Sequence, residues 1–172
     1  MKNTKFGFTL IELLIVIALL GALAVGLLAA LDPFEQFKKG DDTGVRNTVS
    51  EIQGAIIRYY SVKNQMPWGT ADLVMTDASS GFSSTINIQN VIDAGELKKD
   101  FSTLAGNKLT NITVMGTSEG VTVCFKPLSK SFRSDNNTKY VDTGTTFSSV
   151  VNNVANCGNP ADATFSCFWC IY

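Results

Sequence analysis

Two groups of residues in this chain have the types and spacing to do chemistry: four cysteines near the C-terminus and one carboxylate near the N-terminus. Cys124, Cys157, Cys167 and Cys170 could form two disulfides, hold a zinc ion between four thiolates, or use the Cys167-Phe168-Trp169-Cys170 pair for thiol exchange. The zinc reading needs two close knuckles, yet Cys124 and Cys157 stand far apart. The redox reading needs a helix N-terminus to lower a thiol pKa, and only Ile171 and Tyr172 follow Cys170. Two structural disulfides are the expectation. If residues 164 to 172 are extended, Cys167 and Cys170 point to opposite faces, so each pairs with Cys124 or Cys157; a C-F-W-C turn closing on itself is the alternative.

The carboxylate is Glu12, the one charge in the 24 residues from Phe8 to Leu31. A helix of that length spans roughly 36 Å, enough to cross a bilayer. An ionisable group within such a segment is expensive in lipid, and its default reading is functional, with a cationic partner to be found. Lys2 and Lys5 precede the segment, and Asp32 and Glu35 follow it, so the charge bias keeps the N-terminus inside and sends residues 32 to 172 outward. A plain anchor, or a signal peptide cut after Ala22-Leu23-Ala24, would account for the hydropathy but not for Glu12.

The rest of the composition narrows the field. The 172 residues carry 14 Lys and Arg, 15 Asp and Glu and no His, which removes Ser-His-Asp triads, Cys-His pairs and imidazole-bound metals together. A net charge of -1 supplies no cationic field for gripping nucleic acid. Asp41, Asp42, Asp72, Asp77, Asp93, Asp135 and Asp142 show no EF-hand spacing, and solvated surface is the reading for most of them. No cofactor or metal is expected.

The run Lys5-Phe6-Gly7-Phe8-Thr9-Leu10-Ile11-Glu12-Leu13-Leu14 resembles the class III leader and methylation motif of type IV pilins and type II secretion pseudopilins. That resemblance implies a basic leader, residues 1–7, cut between Gly7 and Phe8 by a prepilin peptidase, and methylation of the Phe8 amine. It implies a helix over 8–31 that is first a membrane anchor and later a filament core, with Glu12 meeting the Phe8 amine of a neighbouring copy. Its partners would be other copies of itself and related pilins, the peptidase and methyltransferase, an inner-membrane assembly platform and the bilayer. The place would be the cytoplasmic membrane before assembly and a surface filament after it. Leu31-Asp32-Pro33-Phe34-Glu35-Gln36 and Tyr59-Tyr60 followed by Pro67 are similar to a G-type subgroup of pseudopilin-like proteins. The rival from another class is a membrane-anchored exported domain with a working cysteine cluster.

The elements that must carry these residues follow from periodicity. Asp32-Pro33 interrupts the first helical pattern. Beyond the polar patch from Lys38 to Thr43, Val45, Val49, Ile52, Ile56 and Tyr59 form one stripe, predicting an amphipathic helix over about 43–63. Met66-Pro67-Trp68-Gly69 opens a loop running through Ser79 to Thr85, and a short helix falls within Ile86 to Leu97. Ile112 to Met115 and Val121 to Lys126 read as a hairpin, and Thr164 to Tyr172 as a terminal strand. Phe168, Trp169 and Tyr172 could make a contact patch or pack in the core. The expected fold is α+β: a long N-terminal α-helix packed on a small antiparallel β-sheet, pilin-like, with 32–172 as the exported domain.

Overall fold

The computed structural model describes residues 7–30, 32–70, 73–77, 88–142, 147–149, 157–162 and 164–172. The chain divides into two compact units, residues 1–36 and 37–172. In the first, α1 runs from Leu10 to Ala30, and none of its residues is buried. It is the one helix among the described residues long and apolar enough to cross a membrane. A single helix, α2, then runs from Pro33 to Lys63.

The start of α2 lies some ten residues before the position that the apolar stripe alone predicts. Asp32 and Pro33 end one helix, as expected, but they also begin the next. The Asp32 carboxylate accepts the Glu35 amide at 3.3 Å, and the Asp32 carbonyl accepts that of Gln36 at 3.3 Å. Pro33 occupies the first helical position, where a missing N–H costs nothing. The polar run from Lys38 to Thr43 is then a largely exposed helical surface and not a break.

In the second unit four members of the predicted stripe, Val45, Val49, Ile52 and Ile56, are buried on α2, joined by Ala55, while Tyr59 is partly buried against the same core. The helix ends at Asn64, which adopts φ 52° and returns its N–H to the Tyr60 carbonyl at 2.7 Å. Helix α3, Ile88–Asp93, buries Ile88, Val91 and Ile92 in the same core. Arg58 ties the following turn to α2, with Nε 2.8 Å from the Glu96 carboxylate and Nη2 3.0 Å from the Glu96 carbonyl. Two short helices, α4 (Phe101–Ala105) and α5 (Lys130–Arg133), and a 3-10 helix at Gly106–Asn111 are too brief to leave a periodic signal.

The described strands are β1 (Leu73–Asp77), β2 (Ile112–Gly116), β3 (Val121–Phe125), β4 (Thr138–Asp142), β5 (Phe147–Ser149) and β6 (Phe168–Ile171). They form one antiparallel sheet in the order β1-β2-β3-β6-β4-β5. The hairpin pairs Val114 with Val123, as the alternation requires. β1 lies in a stretch that the sequence presents as loop; Ser79 to Thr85 fall outside the described residues. Although last in sequence, β6 is an interior strand, between β3 and β4.

Alternation along β6 decides the fate of its aromatics. Trp169 is 3% exposed and packs 5.5 Å from Phe125, while Arg46 of α2 sits 5.4 Å over its ring. Phe168, half-buried, lies with Cys170 in a cluster that also holds Met115, Tyr140 and Cys124, and Tyr172 is 78% exposed. The three aromatics therefore do not share one patch.

Candidate functional site

The segment that carries the chemistry begins at Gly7. Among the described residues, nothing lies within 4 Å of where a Cβ would stand on it. Phe8 follows, largely exposed, and Thr9 heads α1. The Thr9 amide donates to Glu12 Oε2 at 2.9 Å, its hydroxyl donates to the same oxygen at 2.8 Å, and the Glu12 amide returns a longer bond to the hydroxyl at 3.3 Å. This is a capping box, the Ser/Thr-x-x-Glu arrangement that satisfies donors at a helix head reciprocally. The capping box is absent from the expectations drawn from sequence, although Thr9-Leu10-Ile11-Glu12 has the required spacing, and it gives Glu12 a partner within its own chain. The carboxylate is held toward the N-terminal end of α1, close in sequence to the Phe8 amine that a cut before Phe8 would create.

The structure joins the four cysteines as Cys124–Cys170 and Cys157–Cys167. Cys167 and Cys170 thus each pair elsewhere, as the extended reading predicts, and the self-closed C-F-W-C turn does not form. Cys124 and Cys170 face each other directly across β3 and β6, their Cα atoms 4.1 Å apart. Cys157–Cys167 closes a short loop over Phe165. That loop is fixed by Arg133, whose guanidinium donates to the carbonyls of Pro127 (3.1 Å), Pro160 (3.2 Å) and Asp162 (2.9 Å). All four sulfurs are paired, and no cysteine is free in this structure.

One carboxylate departs from the surface role expected of it. Asp42 is 2% exposed and not solvated surface. Its carboxylate accepts the Leu128 amide (3.0 and 3.1 Å to the two oxygens), the Ser129 amide (2.8 Å) and the Ser129 hydroxyl (2.6 Å). Those donors offset the cost of burying it. A signal was available: Asp42 stands three residues before Val45, on the same helical stripe. No group of three or more potential metal ligands occurs among the described residues.

Comparison with known proteins bears on the same segment. Residues 2–28 match the family model described as the prokaryotic N-terminal methylation motif. The chain is also 36% identical over 88 residues to the fimbrial protein EcpC of Eikenella corrodens, an alignment covering 51% of this chain and 51% of that protein. The chain thus aligns with about half the length of this curated relative. No solved structure matches. Residues 2–28 thus carry a prokaryotic N-terminal methylation motif, and the apolar helix overlapping it, α1, is long and apolar enough to cross a membrane.

Proposed function

We propose that this protein is a structural subunit of a type IV pilus or a type II secretion-like pseudopilus. It is inserted with its N-terminus inside and residues 32–172 outside, cut between Gly7 and Phe8, methylated on the Phe8 amine, and polymerised through its N-terminal helix. The observation that carries the reading is Glu12: one carboxylate in an otherwise uncharged apolar helix, five residues after Gly7, within the matched methylation motif.

The assembly step follows from charge. Moving α1 from lipid into a core of apolar helices gains little from hydrophobicity, since lipid tails are as apolar as leucine. Register then depends on directional contacts, and an ion pair between Glu12 and a neighbour's Phe8 amine supplies one. The capping box keeps the carboxylate hydrogen-bonded until that amine arrives. The fimbrial relative is consistent with such a role, and the two disulfides suit an exported domain.

The test is Glu12→Val. The variant should insert in the membrane and fold as the parent does while losing incorporation into filaments. Unchanged incorporation would overturn the pairing.

A further inference from the structure

A cavity of about 160 Å³ opens where α2, the 3-10 helix and the end of β3 meet, and every residue around it belongs to the second unit. Its floor is apolar. Val45 and Phe125 are buried, and Leu128 is 46% exposed at the rim. Its mouth carries charge of both signs: Asp41 from α2, Lys108 from the 3-10 helix and Lys126 just beyond β3. Asp42 also lines the cavity, but both of its oxygens accept hydrogen bonds from Leu128 and Ser129. Gly44 makes room for Lys108 to lie against α2, since a Cβ there would stand 3.0 Å from the ammonium nitrogen. Among the described residues, no ion pair engages Lys108, Lys126 or Asp41.

We propose that this cavity binds a small zwitterion, an α-amino acid with an aliphatic side chain. The arrangement of charge selects that class. Lys108 and Lys126 together balance Asp41 and Asp42, so the cavity as a whole is neutral. A simple anion would meet the two ammonium groups but also Asp41 and the charge that Asp42 retains, and a simple cation would meet both lysines. A ligand with both charges is matched on each side: its carboxylate accepts from Lys108 and Lys126, and its ammonium donates to Asp41. The Asn111 side chain, on the same wall, adds an amide donor for the carboxylate. The floor then takes the apolar side chain and covers the exposed part of Leu128. Size sets the limit, because a cavity of about 150 Å³ holds one benzene, which restricts the side chain to about four carbons.

The experiment uses the full chain in micelles of a neutral detergent and follows its backbone amide signals by NMR. L-leucine, N-acetyl-leucine and leucinamide are added in turn to about 20 mM, which brackets the millimolar affinity of ligands this small. The expected result is a saturable shift of Val45, Lys108, Lys126 and Leu128 with leucine. N-acetyl-leucine, without the ammonium, and leucinamide, without the carboxylate, should each bind about fivefold more weakly, the worth of one part-exposed ion pair. Lys126→Gln should weaken leucine and leave leucinamide unchanged, while Asp41→Asn should weaken leucine and leave N-acetyl-leucine unchanged. Both side chains are exposed, and the rest of the spectrum checks that each variant keeps its fold. Where a variant does not, the three ligands on the parent chain decide. No saturable shift with leucine, or a shift confined to other residues, overturns the proposal. Equal binding of all three compounds also overturns it, since the apolar floor alone would then be at work. Tighter binding of N-acetyl-leucine or of leucinamide overturns it as well, in favour of a plain anion or cation site.

Discussion

The Thr9 hydroxyl donates to the Glu12 carboxylate at 2.8 Å while accepting the Glu12 amide at 3.3 Å, so the carboxylate at the head of α1 is hydrogen-bonded by its own chain. Thr9→Val removes the hydroxyl and keeps the shape. Losing an N-cap weakens a helix start by about 1 kcal/mol. Amide exchange at Glu12 and Leu13, measured by NMR in detergent micelles, should therefore rise about fivefold, with exchange further along α1 unchanged. An unaltered rate would show that the capping box does not hold the helix head.

Asp42 and Asp41 are neighbours with opposite fates. Asp42→Ala leaves the Leu128 and Ser129 amides and the Ser129 hydroxyl without their acceptor. It should destabilise the folded domain by roughly 3 kcal/mol. Asp41, exposed, should tolerate alanine within about 0.5 kcal/mol. Denaturant unfolding of the two variants in micelles, followed by circular dichroism, makes the comparison. Similar midpoints would contradict the buried role.

Trp68 and Gly116 pack where no side chain fits between them. A Cβ on Gly116 would overlap the Trp68 indole, whose N–H donates to the Thr117 carbonyl at 3.2 Å. Gly116→Ala should cost about 1–3 kcal/mol. Adding Trp68→Leu should make the alanine far less costly. A double-mutant cycle reads the coupling, and strictly additive effects would mean that the two do not touch.

Tyr140 responds to alkali. Burial raises its pKa above the ordinary tyrosine value, and Tyr172 beside it, by charge and by hydrogen bond, raises it further. Folding thus favours the neutral phenol. The resulting stability is fully present below the unfolded value of about 10 and is lost as pH rises through the folded value. An ultraviolet tyrosinate titration should resolve a late-ionising tyrosine, and Tyr172→Phe should move it back toward the ordinary value. No change on that substitution would remove Tyr172 as a cause.

The two disulfides close loops of unequal length, with sequence separations of 46 for Cys124–Cys170 and 10 for Cys157–Cys167. On chain entropy alone their removal should cost about 4 and about 3 kcal/mol. The first also clasps β6, the strand that joins β3 to β4. Cys124→Ala with Cys170→Ala should consequently lower the melting temperature more than the Cys157 and Cys167 pair of substitutions. The reverse order would contradict the clasp.

How legible these features were in the sequence depended on how far apart their determinants lie. Gly7, Phe8, Glu12 and the apolar span are contiguous, so the run that matches the methylation motif and the hydropathy of α1 are both legible in the sequence. The stripe from Val45 to Tyr59 and the hairpin from Ile112 to Phe125 also repeat often enough to be read. Asp32-Pro33 was harder, because the same two residues that stop one helix start the next. Asp42 was obscured because its donors sit more than 80 residues away, at Leu128 and Ser129. β1 and the interior place of β6 depend on pairing between distant segments, which no local pattern encodes.

Maturation of this chain into a filament subunit would be written in the intact mass of the protein from its native membrane or filament fraction, read together with N-terminal sequencing. A chain that begins at Phe8 and is one methyl group heavier than its sequence is the predicted result. A chain that begins at Met1 or at Val25 would mean an ordinary anchor or a released domain, and would contradict the account.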